Sequence, residues 1–425
     1  MAWDQKMSSS TTLLISTWTE PVLSLKSIFP TIHHSPELVG DMHNQLVVAA
    51  SIGYKSVELV IKLLVKKVFS VSVKNPQALK CLDLSGFPVL RTTVEELFQC
   101  NQFNSEENLT ILLDLWIPKH GSGDFNWINL LNGSKNFSLK VQNIYCCSLE
   151  EEARNQVIAS ALRTNKNVKG LKLSSLDFVD WQEVERTLNI IETCSKISML
   201  DLSRNDMFDS SPSYLVGSTL VNKTLRSLNH LSRLDLSHNC LRDCVGQVLK
   251  GLSLSYLNLT ASGPSSDDLQ SLVSLRTLVH LDLSQNNIGD AFSDLVLKKS
   301  KMLVKLEILE LEDCSISPTN FVFLLSFIQS CPNLKILNLS YNTLEVSQIA
   351  MLIQLRLEVL LVVSTFECDC TTSECSCFKK GQLTVSQSLA NAGYQRKTFD
   401  KAGICQRAET DFKYIAFKAF LCPEL

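Results

Sequence analysis

Residues 197–207 read "ISMLDLSRNDM", and the same design returns as "LSRLDLSHNCL" at 231–241, "LVHLDLSQNNI" at 278–288, "LEILELEDCSI" at 306–316 and "LKILNLSYNTL" at 334–344. Weaker copies stand at 168–178, "VKGLKLSSLDF", and at 254–263, "LSYLNLTASG". The shared pattern is L-x-x-L-x-L-x-x-N/C-x-L. A strand has a two-residue side-chain period, so both leucines of L-x-L turn inward and the residue between them faces out. Asn205, Asn239, Asn286 and Asn342 then fall where the chain leaves the strand, and Cys314 takes that place in one copy. A buried amide at such a bend can bond backbone groups that the turn leaves without partners; a thiol does so more weakly.

This is the pattern of a leucine-rich repeat, and its recurrence predicts a stacked array in which neighbouring coils share one core. Leu171 and Leu200 stand 29 residues apart, and Leu281, Leu309 and Leu337 follow at intervals of 28, which leaves room for a helix in each coil. In "SPTNFVFLLSFIQSC", Phe321, Leu324, Leu325 and Ile328 fall on one helical face, with Ser317 as the expected N-cap and Pro318 at the first helical position. "SLEEEARNQVIASAL" opens on a capping box of Ser148 and Glu151 and places Val157, Ala161 and Leu162 on one side. The intervals Leu234–Leu257 and Leu257–Leu281 are only 23 and 24 residues, so a turn or 3₁₀ segment is expected on their outer wall. The fold class is therefore α/β, a leucine-rich-repeat horseshoe solenoid of seven to nine repeats with a helical N-terminal cap. Residues 1–140 read as that cap grading into degenerate repeats, 141–365 as the repeats, and 366–425 as a cysteine-containing C-terminal cap.

Within the first segment, "PELVGDMHNQLVVAASIGYKSVELVIKLLVKK" carries Val57, Val60, Ile61 and Leu64 on one helical stripe. "LKCLDLSGFPVL", "NLTILLDLWI" and "FSLKVQNIYCC" read as strands. Apolar residues make up 45% of the 425 and charged residues 20%, a balance that suits a core-forming chain. A net charge of −3 exerts no pull toward nucleic acid or an anionic membrane. No stretch reaches the ~18 consecutive apolar residues of a membrane span. The opening "MAWDQKMSSSTTLLISTWTEPVL" makes a poor secretory leader, because Asp4 precedes an apolar run shorter than the roughly 7–15 residues a leader needs. The expected location is cytoplasmic, with the nucleus also open.

The segments around the repeats resemble a known family. "ELVGDMHNQLVVAASIGYKSVELVIKLL", "LTILLDLWI" with "FNWINLLNG", "LKVQNIYCCSL", and "LKILNLSYNTLEVSQIAMLIQLRLEVLLVVSTF", taken in order, are similar to the PRAME (preferentially expressed antigen in melanoma) and leucine-rich repeat-containing protein 14 family. "QLTVSQSLANAGYQRKTF" resembles that family's C-terminal helix and the strand after it. The resemblance implies a non-enzymatic horseshoe protein acting as an intracellular adaptor or regulator. It also implies partners: elongin and cullin-2 components of a ubiquitin ligase, or the signalling kinases that activate NF-κB. The implied docking segment is "LSLKSIFPTIHHSPEL", where Phe29 stands at the place of the cysteine usual in elongin-binding boxes.

Four of fifteen cysteines crowd into "FECDCTTSECSC": Cys368, Cys370, Cys375 and Cys377. Four thiolates suffice for tetrahedral zinc, although C-x-C pairs wrap one ion less readily than C-x₂-C. Cys368 and Cys370, followed by Cys405 and Cys422, could instead form the disulfide cap of a secreted or cell-surface innate-immune receptor. Six sequons, at Asn108, Asn132, Asn136, Asn222, Asn258 and Asn338, would fit that alternative. The preferred reading is a reduced loop, since Cys146, Cys147, Cys194 and Cys314 occupy core-like positions elsewhere. No cofactor is expected. Hydrolase, phosphate-loop, zinc-protease and dinucleotide motifs are all missing, so nothing argues for an enzyme.

What remains is a protein-binding face. The outward residues of successive L-x-L cores form one column: Lys172, Asp201, Asp235, Asn258, Asp282, Glu310 and Asn338. Met199, Arg233, Tyr256, His280 and Ile308 flank it on one side; Ser203, Ser237, Thr260, Ser284, Glu312 and Ser340 flank it on the other. With strands about 4.8 Å apart, the carboxylates make an exposed negative strip suited to a basic partner.

Overall fold

The structure, a computed structural model, describes residues 22–24, 81–89, 109–117, 137–147, most of 158–207, 214–272, 274–297, most of 303–361, 394–399 and 402–407. Several expectations lie outside these residues: the Val57–Leu64 stripe, the Ser148 capping box, most of the elongin-docking segment, the sequons at 108, 132 and 136, and the Cys368–Cys377 cluster. The chain divides into two compact units. One comprises Met1–Leu176, Asn189–Ile197 and Lys413–Leu425, the other Asp177–Leu188 and Ser198–Phe412.

Among the described residues the first unit carries five parallel strands: β1 (Val22–Ser24), β2 (Cys81–Val89), β3 (Leu109–Ile117), β4 (Phe137–Cys147) and β5 (Gly170–Ser174). "LKCLDLSGFPVL" is thus strand-forming, as its leucine pattern suggests, but its register slips between Leu84 and Pro88. Proline has no N–H to give to a ladder, which favours a break there. A second irregularity follows Leu113, where Asn143 Nδ2 donates to the buried Asp114 Oδ1 at 2.9 Å. Ile111, Leu113 and Leu115 of β3, Val141 and Ile144 of β4, and Leu171 and Leu173 of β5 form the core, each at most 2% exposed.

The second unit is the regular one. Parallel strands β6 (Met199–Asp201), β7 (Arg233–Asp235), β8 (Tyr256–Asn258), β9 (His280–Asp282), β10 (Ile308–Glu310), β11 (Ile336–Asn338) and β12 (Val359–Leu361) follow one another in sequence order. An antiparallel hairpin of β13 (Tyr394–Phe399) and β14 (Ala402–Arg407) ends the sheet, with β14 paired to β12. Each of β6 to β12 is three residues long by ladder pairing, yet inter-coil bonds continue past it. Leu236 N donates to Asn258 O and His238 N to Thr260 O; Leu283 N donates to Glu310 O and Gln285 N to Glu312 O. This open parallel array of strand-and-helix coils is the expected leucine-rich-repeat solenoid of the horseshoe class.

Inward, Leu234, Leu236 and Leu241 repeat as Leu309, Leu311 and Ile316 and as Leu337, Leu339 and Leu344, all buried. Burial of each such side chain stabilises the fold by about 1.5–3 kcal/mol. The turn after the strand runs on buried amides. Asn286 Nδ2 donates to Leu259 O and Leu283 O at 2.8 Å and to Ser284 O at 3.2 Å, while its Oδ1 accepts from Ser262 N and Gly263 N. Asn239 and Asn342 repeat the arrangement with their own neighbours. Cys314 substitutes partially: its Sγ lies 3.2 Å from Leu283 O, and Ile288 N turns to Asn286 O and Cys314 O. In the weaker β8 coil Ser262 stands at this place, its hydroxyl donating to Leu236 O.

Outer-wall elements are α1 (Trp181–Glu192), α2 (Tyr214–Ser227), α3 (Val245–Leu249), α4 (Ser266–Leu272), α5 (Phe292–Leu297), α6 (Phe321–Gln329) and α7 (Val346–Ile353). Two expectations are corrected. The short coils carry brief α-helices, α3 and α4, rather than bare turns or 3₁₀ segments; the 3₁₀ turn, Gly289–Ala291, sits in a 28-residue coil instead. Buried Asp268 makes this possible, because its carboxylate accepts from Asp243 N and Gly246 N beside α3 and from Ser265 N before α4. Helix α6 starts at Phe321, later than Ser317 and Pro318 suggest. Asn320, held by Asp290 Oδ1, accepts from Ser317 N and closes a turn that delays the helix. The face expected of that helix is the one buried: Phe321, Leu324, Leu325 and Ile328.

Two outcomes follow for stability and thiol chemistry. Asn286→Ala strips five hydrogen bonds and costs about 2–4 kcal/mol, whereas Cys314→Ala costs about 1–2 kcal/mol; urea unfolding reads the difference, and equal costs would contradict the ladder's role. Burial pushes the Cys244 and Cys331 thiols up to about 11, and Cys240 is exposed. Alkylation at pH 8 is expected to label Cys240 in the native protein and to reach Cys146, Cys194, Cys244, Cys314 and Cys331 only after unfolding, as mass spectrometry would show.

Candidate functional site

The strand-face residues of the second unit are brought together in register. Arg233, Tyr256, His280, Ile308 and Ile336 align across β7 to β11, and Asp235, Asn258, Asp282, Glu310 and Asn338 align two residues further along. Asp201 of β6 pairs with Asp235. Lys172 lies in β5 of the first unit.

The second row is not a set of free carboxylates. Asp201 Oδ1 accepts from Ser203 N, Asp235 Oδ1 from Ser237 N, Asn258 Oδ1 from Thr260 N, Asp282 Oδ1 from Ser284 N and Asn338 Oδ1 from Ser340 N, all at 2.9–3.0 Å. Each short side chain closes back on the amide two residues ahead and so shapes its own turn. Glu310, one methylene longer, reaches sideways to its neighbours instead. The expectation of an openly solvated strip is therefore corrected: Asp282 is 7% exposed, Asn338 2%, and the serines of the flanking column are buried. Hydrogen-bonding demand of the backbone explains why Asp and Asn interchange along this row.

Lateral contacts knit the rows together. Asn258 Nδ2 donates to Asp235 Oδ2 at 3.0 Å, and Asn338 Nδ2 donates to Glu312 Oε2 at 3.2 Å. His280 Nε2 donates to Glu310 Oε1 at 3.0 Å, and Nδ1 is buried with no hydrogen-bond partner among the described residues. The Tyr256 ring stands edge-on to His280, centroids 4.8 Å apart at 84°, and the Arg233 guanidinium lies 5.6 Å from its other side. Tyr256 is only 8% exposed. Burial, then the charges of Asp235, Asp282 and Glu310, hold its phenol well above the usual value, with Arg233 opposing. Glu312 and Ser284 close the far edge, Ser284 Oγ accepting from Glu312 N.

Spacing places Tyr256 on the strand face but not its clamping, which comes from a ring and a guanidinium on neighbouring coils. Ser262 was missed as a ladder residue for a different reason: the weaker copy lacks the asparagine that marks the place. Among the described residues, no group of three or more His, Cys, Asp or Glu side chains is arranged to hold a metal ion, and no helix is long and apolar enough to cross a membrane. Asp282→Asn keeps the acceptor for Ser284 N and is expected to hold stability within about 1 kcal/mol, as Asn258 and Asn338 do natively. Asp282→Ala removes it and costs about 1–2 kcal/mol. Thermal melts compare the two, and equal losses would show that charge rather than the turn bond matters.

With this geometry in hand, comparisons with known proteins agree on the repeat. The family profile described as "Leucine Rich repeat" matches residues 227–243, 274–291 and 330–346. Ribonuclease inhibitor of Sus scrofa is 32% identical over 270 residues, 59% of this chain and 56% of that protein. Ribonuclease inhibitor of Mus musculus is 28% identical over 268 residues, with the same two shares. The chain thus spans little more than half the length of these relatives. Among solved structures, the leucine-rich repeat-containing protein LegL7 of Legionella pneumophila is 21% identical, with 69% of this chain and 94% of that one covered and a TM-score of 0.43. In-register strands, bridging amides and matched repeats together give the chain a leucine-rich-repeat fold, and part of its sequence is similar to ribonuclease inhibitor.

Proposed function

We propose that this protein is a non-enzymatic binding scaffold whose second-unit strand face grips a protein partner with a basic surface. The observation that carries the reading is the row Asp235, Asp282 and Glu310, held in register beside Arg233, Tyr256 and His280. These side chains lie outside the leucine core, and they stand pre-positioned by hydrogen bonds to backbone and to one another. Preorganised groups lose little freedom on association, and half-buried carboxylates are screened less than exposed ones. The names of the curated relatives add that such a scaffold can inhibit a ribonuclease.

The finer form of this reading is an intracellular adaptor or regulator, working with elongin and cullin-2 components or signalling kinases, as the PRAME-family resemblance implies. Two features support a reducing compartment over a secreted receptor. Buried thiols at Cys146, Cys194, Cys244, Cys314 and Cys331 form no disulfide. Asn222 and Asn338, both in sequons, are 7% and 2% exposed, and Asn222 spends its amide on Val248 O and Lys250 O.

The test compares the full chain with Asp282→Asn/Glu310→Gln, which removes two charges and keeps the Asp282 turn bond. Titration with a basic ribonuclease and copurification of elongin and cullin-2 components are the readouts. The double variant is expected to weaken partner binding at least tenfold and to flatten its salt dependence. Partners that bind both forms equally would place the interface elsewhere.

A further inference from the structure

We infer that Tyr256 is the anchor of a receptor for one cationic side chain, a lysine ammonium or an arginine guanidinium, presented by the protein partner. The proposal rests on the strand-face reading above and locates its centre. Three observations meet at this residue. Tyr256 is nine-tenths buried on a face that needs no aromatic for the leucine core. Its ring is clamped between Arg233 and His280, so the phenol has one orientation. Its hydroxyl makes no hydrogen bond among the described residues, although Asp235, Asp282 and Glu310 all act on it electrostatically.

The side chain is nine-tenths buried while its hydroxyl keeps contact with solvent, so the polar tip is reachable by a group arriving at the strand face. The chemistry of the surroundings says what. A phenol oxygen accepts hydrogen bonds, and carboxylates of Asp282 and Glu310 accept them too; an anion would be repelled. A donor-rich cation can bond the hydroxyl and is attracted by the carboxylates around it. Arg233 faces the ring and occupies its cation–π position, so the arriving cation is directed to the hydroxyl end instead. The acids are held in place already. Asp282 is tied to Ser284 N, and Glu310 is tied to His280 Nε2, so neither must be ordered when the partner arrives. Tyrosine in such a setting has the character of an interface hot spot: a large rigid ring with one polar tip.

A merely structural tyrosine and a receptor differ in what the hydroxyl does. Tyr256→Phe removes no intramolecular hydrogen bond, so the melt is expected to be unchanged or raised. Binding is expected to fall about fivefold to tenfold. The probes are an oligolysine peptide, the same peptide with every side chain acetylated, and the protein partner captured in the preceding experiment, each titrated calorimetrically into wild type, Tyr256→Phe and Asp282→Asn/Glu310→Gln. Wild type should bind oligolysine and not the acetylated peptide, and Tyr256→Phe should lose affinity for oligolysine and partner alike. Partner binding that survives Tyr256→Phe but fails in the double variant overturns the anchor and leaves the strand-face reading standing. Indifference to both variants overturns both. A site that takes calcium and ignores oligolysine overturns the anchor as well.

Discussion

The side-chain amide after β6, β7, β9 and β11, replaced by Ser262 after β8 and Cys314 after β10, is the constraint on which the second unit depends. Asn239 donates to Leu202 O of the coil before it and to Leu236 O of its own, and it accepts from Asn205 N at 3.2 Å. One planar group therefore spans two coils and fixes their offset along the stack. The residue just before each ladder position is driven into the left-handed region: Arg204, His238, Ala261, Gln285, Asp313 and Tyr341 all have φ between 51° and 61°. Left-handed backbone costs a non-glycine residue roughly 1–2 kcal/mol. Several buried hydrogen bonds per amide, each worth about 1 kcal/mol net, outweigh that cost and keep the bend in place. The strained residue's own N–H contributes as well, His238 N reaching Thr260 O and Gln285 N reaching Glu312 O.

Locking the offset has a consequence on the opposite face. When coils cannot slide, residues two apart on one strand meet the same two positions on the next. That is why Tyr256 finds His280 on one side and Arg233 on the other, and why Asn258 reaches Asp235 Oδ2. Leucine burial provides most of the stabilisation but specifies little, since one buried leucine resembles another. Amide bonds provide less and specify the register. The crowded polar face is a by-product of that register, and its burial follows from it.

Much of this was legible in the sequence, for a physical reason. The strand period and the ladder residue are local constraints, repeated often enough that one unit of pattern predicts the others. The column membership of Asp201, Asp235, Asp282 and Glu310 followed directly. What stayed hidden depends on more than one coil. The left-handed positions carry Arg, His, Ala, Gln, Asp and Tyr rather than glycine, so no residue type announces them. Ser262 could be recognised as a ladder substitute only once its hydroxyl was seen on Leu236 O. The start of α6 at Phe321 depends on Asp290 of the preceding coil holding Asn320. The acidic row looked open from its composition, and it is half-closed because each aspartate serves the turn two residues ahead and Glu310 reaches sideways to His280.

That double duty bears on recognition itself. A row of freely solvated carboxylates would be screened within about 8 Å at physiological salt, and each would have to give up side-chain freedom to meet a partner. Here the turn has already taken that freedom: Asp235 and Asp282 each spend one oxygen on backbone, and the second oxygen of Asp235 is tied to Asn258 on the next strand. The bond that shapes the coil therefore also aims the charge. A substitution along this row acts on fold and recognition through different atoms of the same group, so replacing Asp by Asn separates them where replacing Asp by Ala cannot. Asn258 and Asn338 show that the fold tolerates the neutral form. Carboxylates at 235, 282 and 310 are thus more than the turn requires, and the surplus is negative charge gathered around one clamped tyrosine.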